Sequence, residues 1–467
     1  MVGVAPKNEH PGLVRGLNAW HATSIVAGTI IGSGIFLVPA EMMQAVGSAS
    51  LVYLAWIVGG LLSFFGALTY AELGSVRPFS GGEYVYVRDA YGPLPGFLYG
   101  WTWFLIAKPA SIASVTSGLV RVLGTFSAFS FLPHNIFVLH VTASRVLALN
   151  YGHLVAISAT VLITALNYIG IRKAGDFQFV FTVLKVAMII GIAFVAFSAS
   201  SGTWSNFGTS FLGAKGGIAG FMAALVAALW AYDGWNDLNM VSEEIQRPER
   251  TIPIALIAGV GLVAILYMGM NAGIQRALPA DVIANSAVPA AAASQAALGR
   301  WGISLVSIGM IISMLAGLNG TVMSGGRVPF AVARDGYLFK ALGEVHPKFH
   351  TPALALVIQA LVAIVLIAVG GAFRELFSLA IFAEWLFYMV AASTIFIFRR
   401  REPEVKRPYR TLGYPVVPAL FIATAAVLLY YTFMSNLRDS IAGVFVILLG
   451  IPVYLWFAAK RRDDRAR

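Results

Sequence analysis

Lys108, Lys185, Asp233 and Glu384 are ionisable side chains that fall inside long apolar stretches of this sequence. A charge at the centre of a bilayer costs at least ~2.5 kcal/mol on insertion scales, so such a residue faces a cavity or a partner and marks a functional site. Asp233 also coincides with one of two glycine interruptions. One apolar segment, from about Ala19 to Met43, is interrupted at Gly32-Ser33-Gly34; another, from about Gly216 to Val241, is interrupted at Asp233-Gly234. A backbone that unwinds in hydrocarbon exposes polar groups costing several kcal/mol each, so breaks survive only where they line a cavity. A matched pair of interrupted segments in two halves of a chain points to the binding site of a transporter.

In the run Gly28-Thr29-Ile30-Ile31-Gly32-Ser33-Gly34-Ile35-Phe36, unwinding at Gly32–Gly34 frees backbone amides at the start of a half-helix. Those amides and the positive dipole end bind a carboxylate. Freed carbonyls at the end of the preceding half-helix bind an ammonium. An α-amino acid, with both charges on adjacent atoms, fits the pair. Gly28 and Gly32 also form a GxxxG, for which close helix packing is the alternative; the partner break favours unwinding.

In the second break, Leu229-Trp230-Ala231-Tyr232-Asp233-Gly234-Trp235-Asn236, two readings stand for each notable residue. Trp230 is an aromatic gate over the ligand, or an ordinary packing or interfacial tryptophan. Asp233 pairs with a cationic substrate side chain, or it stabilises the break through a hydrogen bond or a salt bridge to a membrane lysine. Lys185, deep in Phe179–Ile190, fills with its ammonium a place where a related carrier holds sodium, or it titrates; snorkelling to the interface suits its depth less well. Glu384 lines the far end of a side-chain pocket or belongs to a packing network. Lys108-Pro109 kinks its helix, and its charge is expected to serve structure more than transport. Asn236 and Asn319 bridge broken and intact helices, or act as interhelical glue.

The elements that must position these groups are membrane spans. The chain has 467 residues, 58% hydrophobic and only 11% charged, with a mean hydropathy of +0.79. A soluble protein carries about 25% charged residues, so this is an integral membrane protein. The excess of 32 Lys and Arg over 21 Asp and Glu lies in short loops between apolar runs, which argues against nucleic acid as a partner. The absence of cysteine excludes disulfides, thiolate metal sites, thiol nucleophiles and a disulfide-linked partner subunit. No P-loop, GxSxG or metal-ligand cluster is present, so neither a cofactor nor enzymatic chemistry is expected. Residues 1–16 are polar and the first apolar segment is too long for a signal h-region, so it is expected to be a retained span.

At roughly 20 residues per span, twelve segments are expected, near 18–44, 48–72, 93–120, 146–169, 177–199, 216–242, 252–274, 301–333, 353–371, 375–398, 416–434 and 440–459. With both termini on the cytoplasmic side of the cell membrane, 22 of the 32 Lys and Arg lie in cytoplasmic segments, including Arg399-Arg400-Arg401 and Lys460-Arg461-Arg462. That bias sets the orientation. The first ten spans divide into five (residues 18–199) and five (216–398) of opposite orientation, an inverted repeat. Two further spans occupy 416–459, between an N-terminal tail (1–17) and a C-terminal tail (460–467).

At these residues the chain resembles the amino acid–polyamine–organocation (APC) superfamily and, within it, the L-type amino acid transporters, the light chains of heteromeric exchangers. The resemblance covers nearly the whole chain. It is carried by Gly28–Phe36, Ser80-Gly81-Gly82-Glu83-Tyr84, Tyr232–Asn239 with Glu243-Glu244, Arg247-Pro248 with Ile252-Pro253, Arg327 with Arg334-Asp335-Gly336, and Pro452-Val453-Tyr454. It implies an all-α membrane protein with the LeuT-like five-plus-five fold and discontinuous helices one and six. The implied activity is sodium-independent exchange of L-amino acids. The amides of Ser33 and Gly34, beside Gly32, would hold the carboxylate. The carbonyls of Ile30, Trp230 and Asp233, flanking Ala231, would hold the α-amine. Trp230 would be the gate, Lys185 would occupy the vacant sodium site, and Asn236 and Glu384 would lie near the substrate side chain. Many family members carry glycine at the position of Asp233, and the sequence here resembles the subgroup that accepts cationic as well as neutral amino acids. Family light chains bind a glycoprotein through an external cysteine that this chain lacks, as do prokaryotic relatives.

Overall fold

The computed structural model describes residues 12–142, 145–369, 373–435 and 437–466. Residues 1–11 of the expected N-terminal tail and Arg467 of the expected C-terminal tail lie outside them. The first apolar segment forms two helices, α1 (Ala19–Ile30) and α2 (Gly34–Val46). Asn18 caps α1 by accepting from the His21 amide at 3.0 Å, which satisfies one of the donors a helix start leaves unpaired. Then follow α3 (Ala49–Val76), a short loop helix α4 (Glu83–Tyr91), and α5 (Pro93–Thr102), which continues through a π-turn at Trp103–Ala107 into α6 (Lys108–Leu123). The π-turn ends at Lys108-Pro109, where proline removes a backbone donor.

A two-stranded antiparallel sheet of β1 (Asn135–Thr142) and β2 (Arg145–Asn150) precedes α7 (Tyr151–Tyr168) and α8 (Ile171–Phe197). The fourth span was expected from residue 146. It starts instead at Tyr151, because Asn150 accepts from the His153 amide at 2.9 Å and caps the helix there.

The second interrupted segment forms α9 (Gly217–Ala231) and α10 (Asp237–Met240). Beyond it lie α11 (Pro248–Ala277), the short α12 (Ala280–Asn285) and α13 (Pro289–Leu298), and α14 (Arg300–Gly325), followed directly by α15 (Arg327–Arg334). The chain closes with α16 (Ala353–Val369), α17 (Phe373–Arg401), α18 (Val416–Ser435), α19 (Leu437–Leu448) and α20 (Gly450–Ala466). Among the described residues nine helical stretches are long and apolar enough to cross a membrane, and the shorter apolar helices Gly217–Ala231 and Ala353–Val369 accompany them. Large apolar side chains on their outer faces, such as Phe194, Ile265 and Leu162, are exposed, as a lipid-facing surface requires.

Near the N-terminal end of α1 the chain is stitched to the stretch after α10. The Leu17 amide donates to the Glu244 carbonyl at 3.0 Å and the Gln246 amide donates to the Leu17 carbonyl at 2.8 Å. Around this stitch the charged motif residues converge. Arg327 donates to Glu244 through Nε (2.8 Å) and Nη2 (3.1 Å), both side chains fully buried. Arg334 pairs with Glu243 at 3.1 Å, and Asp335 accepts from Tyr84 at 2.6 Å and pairs with Arg88. Burial opposes the charge on the Arg88 guanidinium, but the carboxylates of Asp335 and Asp89 outweigh it and hold the group above its ordinary range.

Candidate functional site

The two breaks pack against each other. α1 ends at Ile30 and α2 begins at Gly34; α9 ends at Ala231 and α10 begins at Asp237. A Cβ at Gly34 would lie 3.1 Å from Ala231 Cα and 3.5 Å from the Trp230 ring. At Gly234 φ is +107°, and a Cβ there would lie 3.0 Å from the Thr29 carbonyl carbon. That backbone region is open to glycine and costly for other residues, so Gly234 is where the second helix can turn back onto the first. The Thr29 hydroxyl reaches the Gly234 carbonyl at 2.7 Å. The Tyr267 hydroxyl on α11 lies between the Ala231 carbonyl (2.9 Å) and the Ile30 carbonyl (3.1 Å). One side chain thus clasps the last turns of both interrupted helices.

The freed groups of the first break divide by kind. Its carbonyls are occupied. Lys185 Nζ, almost completely buried, donates to Gly28 (2.7 Å), Ile31 (2.6 Å) and Ser313 (3.1 Å), and the Ser313 hydroxyl lies 2.8 Å from Ile31 O and 3.1 Å from Gly32 O. An ammonium ringed by carbonyls is coordinated as a small monovalent cation would be. The amides of Gly32, Ser33 and Gly34, by contrast, have no acceptor among the described residues. They are unpaired donors at the positive end of α2, the arrangement that receives an anionic group.

Below the second break lies a polar cavity of about 80 Å³. Asp233, Asn236 and Glu384 line it, as do Lys108, Asp237 and Tyr388. Lys108 is ion-paired with Asp237, both buried. Tyr388 Oη lies 3.1 Å from Asp233 Oδ1 and 3.2 Å from Asn236 Oδ1. Asn236 in turn donates to the fully buried Glu83 at 2.7 Å. The expected residues are therefore divided: Asp233, Asn236 and Glu384 share this cavity, Gly32, Ser33 and Gly34 meet the stretch Trp230–Ala231, and Trp230 lines a different chamber. The Ile30 carbonyl expected to meet an amine is within reach of Tyr267, and the Trp230 carbonyl accepts from the Asp233 amide at 3.3 Å. Asn319 lies apart from both breaks, bonding Ala174, Gln178 and Asn167 between α14, α8 and α7. Lys108, expected to serve structure, is both an ion-pair partner and a wall of the cavity.

Sequence reasoning missed Asp237, Glu83, Tyr388 and Tyr267. Asp237 carried a usable signal, being an acid three residues beyond Gly234 in an apolar segment. Glu83 sits on a loop helix, and only folding brings it under the break.

Helices crossing a membrane, two of them unwound where they touch, and buried charges gathered at the unwound turns define a membrane transport protein. The chain belongs to the amino acid permease family, whose model matches residues 17–458, and within the APC superfamily its relatives are of the L-type. It is 32% identical over 97% of its length to the serine/threonine exchanger SteT of Bacillus subtilis, covering 99% of that protein. It is 30% identical over 96% to the b(0,+)-type amino acid transporter 1 of Homo sapiens, covering 87%. It is also 30% identical over 97% to the human cystine/glutamate transporter, covering 87%. The chain is thus a multi-pass amino acid transporter, not an enzyme.

Proposed function

We propose that this chain is a sodium-independent exchanger of neutral and cationic L-amino acids in the cell membrane, with both termini cytoplasmic. Its twelve spans form two inverted five-helix sets, 18–199 and 216–398, with 416–459 outside the repeat. The substrate carboxylate takes the free amides of Ser33 and Gly34 beside Gly32. The α-amine takes carbonyls of the facing half-helix ends at Ile30, Trp230 and Asp233, displacing the hydrogen bonds that the Ile30 and Trp230 carbonyls now accept, while Ala231 keeps the two breaks in register. Trp230 closes over the ligand. Lys185 stands in the place of a sodium ion, which supports independence from sodium, and Asn319 holds the scaffold around it.

The single observation that carries the cationic range is the charge of the polar cavity. Lys108 is matched by Asp237, which leaves the carboxyl groups of Asp233 and Glu384 facing the same space with no further cation among the described residues that line it. An Arg, Lys or ornithine side chain supplies one. The cavity of about 80 Å³ is below the ~300 Å³ at which small-ligand pockets begin, so loading requires the half-helices to part, which is the motion of alternating access. With no cysteine in the chain, it works without a disulfide-linked heavy chain. The relatives' names support exchange, and one of them, a serine/threonine exchanger, keeps a neutral-only range as the competing reading.

The test is uptake of labelled arginine by purified protein in liposomes that are empty or preloaded with unlabelled amino acids. Uptake confined to preloaded vesicles supports exchange. Uptake into empty vesicles under an inward proton gradient indicates proton-coupled symport instead. Asp233→Asn is expected to lose arginine transport while keeping alanine transport; equal loss of both, or arginine-free transport in the wild type, removes the cationic range.

A further inference from the structure

A larger cavity, of about 320 Å³, opens on the other side of the second break. Its walls are Glu41 on α2, Trp230 on α9, Trp385 on α17, Thr432 on α18 and apolar residues of α9 and α18. It shares no lining residue with the polar cavity, although near neighbours in sequence line the two spaces: Trp230 and Trp385 here, Asp233 and Glu384 there. The size suits a small ligand.

Glu41 is exposed within this chamber and has no hydrogen-bond or ion-pair partner among the described residues. It lies in the second half of the first span. Glu41 is five residues before the end of α2 at Val46, and a carboxylate there is sustained where the chamber opens towards the water at that end of the span. α2 is the half of that span farther from the N-terminus, so on the proposed orientation that end is external. One unpaired carboxylate and two indoles share the space, with no basic side chain in the lining. Indole faces attract cations through the ring quadrupole, and the carboxylate adds a Coulomb attraction. The chamber has neither a basic side chain nor a helix start with free amides like those of Gly32–Gly34, and its carboxylate repels a second one, so it does not recognise the α-carboxylate. Its chemistry selects one end of a cationic amino acid.

We propose that this chamber is a second, vestibular binding site that takes the guanidinium or primary ammonium group of a cationic solute before the polar cavity does. The proposal rests on the exchange reading for its place in a transport cycle, but binding at the chamber is measurable without transport. The probe is labelled agmatine, which is arginine without its carboxylate, bound at equilibrium to the purified full-length protein. Wild type is expected to bind it, Glu41→Gln about fivefold more weakly, the gain of a solvent-exposed ion pair, and Glu41→Asp close to wild type. Trp385→Leu is expected to weaken it as well, and raised salt to weaken it in wild type more than in Glu41→Gln. A melting temperature and a size-exclusion profile of Glu41→Gln that match the wild type show that the variant is folded.

No agmatine binding to wild type overturns the proposal. So does equal binding by Glu41→Gln, and so does binding lost in Asp233→Asn but kept in Glu41→Gln, which places agmatine in the polar cavity. Glu41-dependent agmatine binding in a protein that does not exchange arginine leaves the vestibular site standing and removes the cationic transport range.

Discussion

Replacing Tyr267 by phenylalanine isolates the clasp between the two breaks. The substitution keeps the ring, which packs edge-on to Trp56 at 5.3 Å and against Tyr232 at 5.1 Å, and removes only the oxygen lying 2.9 Å from Ala231 O and 3.1 Å from Ile30 O. A hydroxyl has one hydrogen, so one carbonyl loses its donor and the other loses a neighbour it shared it with. Leaving one buried acceptor unpaired costs about 1–3 kcal/mol, and no cavity penalty is added. A difference of one or two kcal/mol between the conformations of a transport cycle changes their ratio by a factor of about 5–30. Tyr267→Phe should therefore lower the melting temperature of the purified protein and shift the rate of labelled alanine exchange in liposomes by that factor. Tyr232→Phe is the control: the Tyr232 hydroxyl has no hydrogen-bond partner among the described residues, and its neighbouring ring is the same triad. That variant should melt and exchange like wild type. If both variants behave alike, whether both silent or both impaired, the clasp is not what holds the breaks in register.

Lys185→Met keeps length but strips the ammonium donors from Gly28, Ile31 and Ser313; Ile31 keeps the Ser313 hydroxyl and the Ser313 carbonyl keeps its place in the α14 ladder, so the Gly28 carbonyl is orphaned, and exchange should fall about tenfold with little change in expression, read by transport normalised to reconstituted protein. Glu244→Gln leaves Arg327 fully buried without its carboxylate, a loss of about 3–5 kcal/mol, and should cut the yield of monodisperse protein on size-exclusion chromatography; addition of Arg327→Met should restore part of it. Gly320→Ala would place a Cβ 2.1 Å from the Thr29 methyl and push Thr29 away from Gly234, so about 1–3 kcal/mol of overpacking should appear as a lower melting temperature; an unchanged melt would mean that α14 moves aside freely.

The breaks were legible because glycines interrupt runs that are otherwise apolar, and the observed gaps, 31–33 and 232–236, overlap the expected ones. Lys185 was legible for the same reason: a charge in a span has few places to go. The wider second gap was not legible, since Tyr232 and Trp235 are apolar enough to continue a helix; what unwinds them is the contact of Gly234 with Thr29, some 200 residues away in sequence. Glu83 and Tyr388 carry no periodic signal that ties them to Asn236. The sheet of Asn135–Thr142 and Arg145–Asn150 leaves no trace in apolar runs of span length, although Asn150 is a recognisable helix start. The assignment of individual roles at the breaks was carried by resemblance rather than by pattern, because identical carbonyls and amides leave no trace in side-chain spacing.

The stitch between Leu17 and the stretch Glu244–Gln246 has a kinematic consequence. Two backbone hydrogen bonds join the outer ends of half-helices that are hinged independently at their breaks. Hinges linked at their far ends are not two degrees of freedom but one: when α1 swings, the segment after α10 is drawn along. A carrier with two separate flaps would pass through states with one flap ajar, through which solutes run downhill unescorted. In a carrier working by alternating access, yoking the flaps would remove those states, and tightness to leak would be set at a peptide pairing far from the ligand, by groups that never touch what is carried.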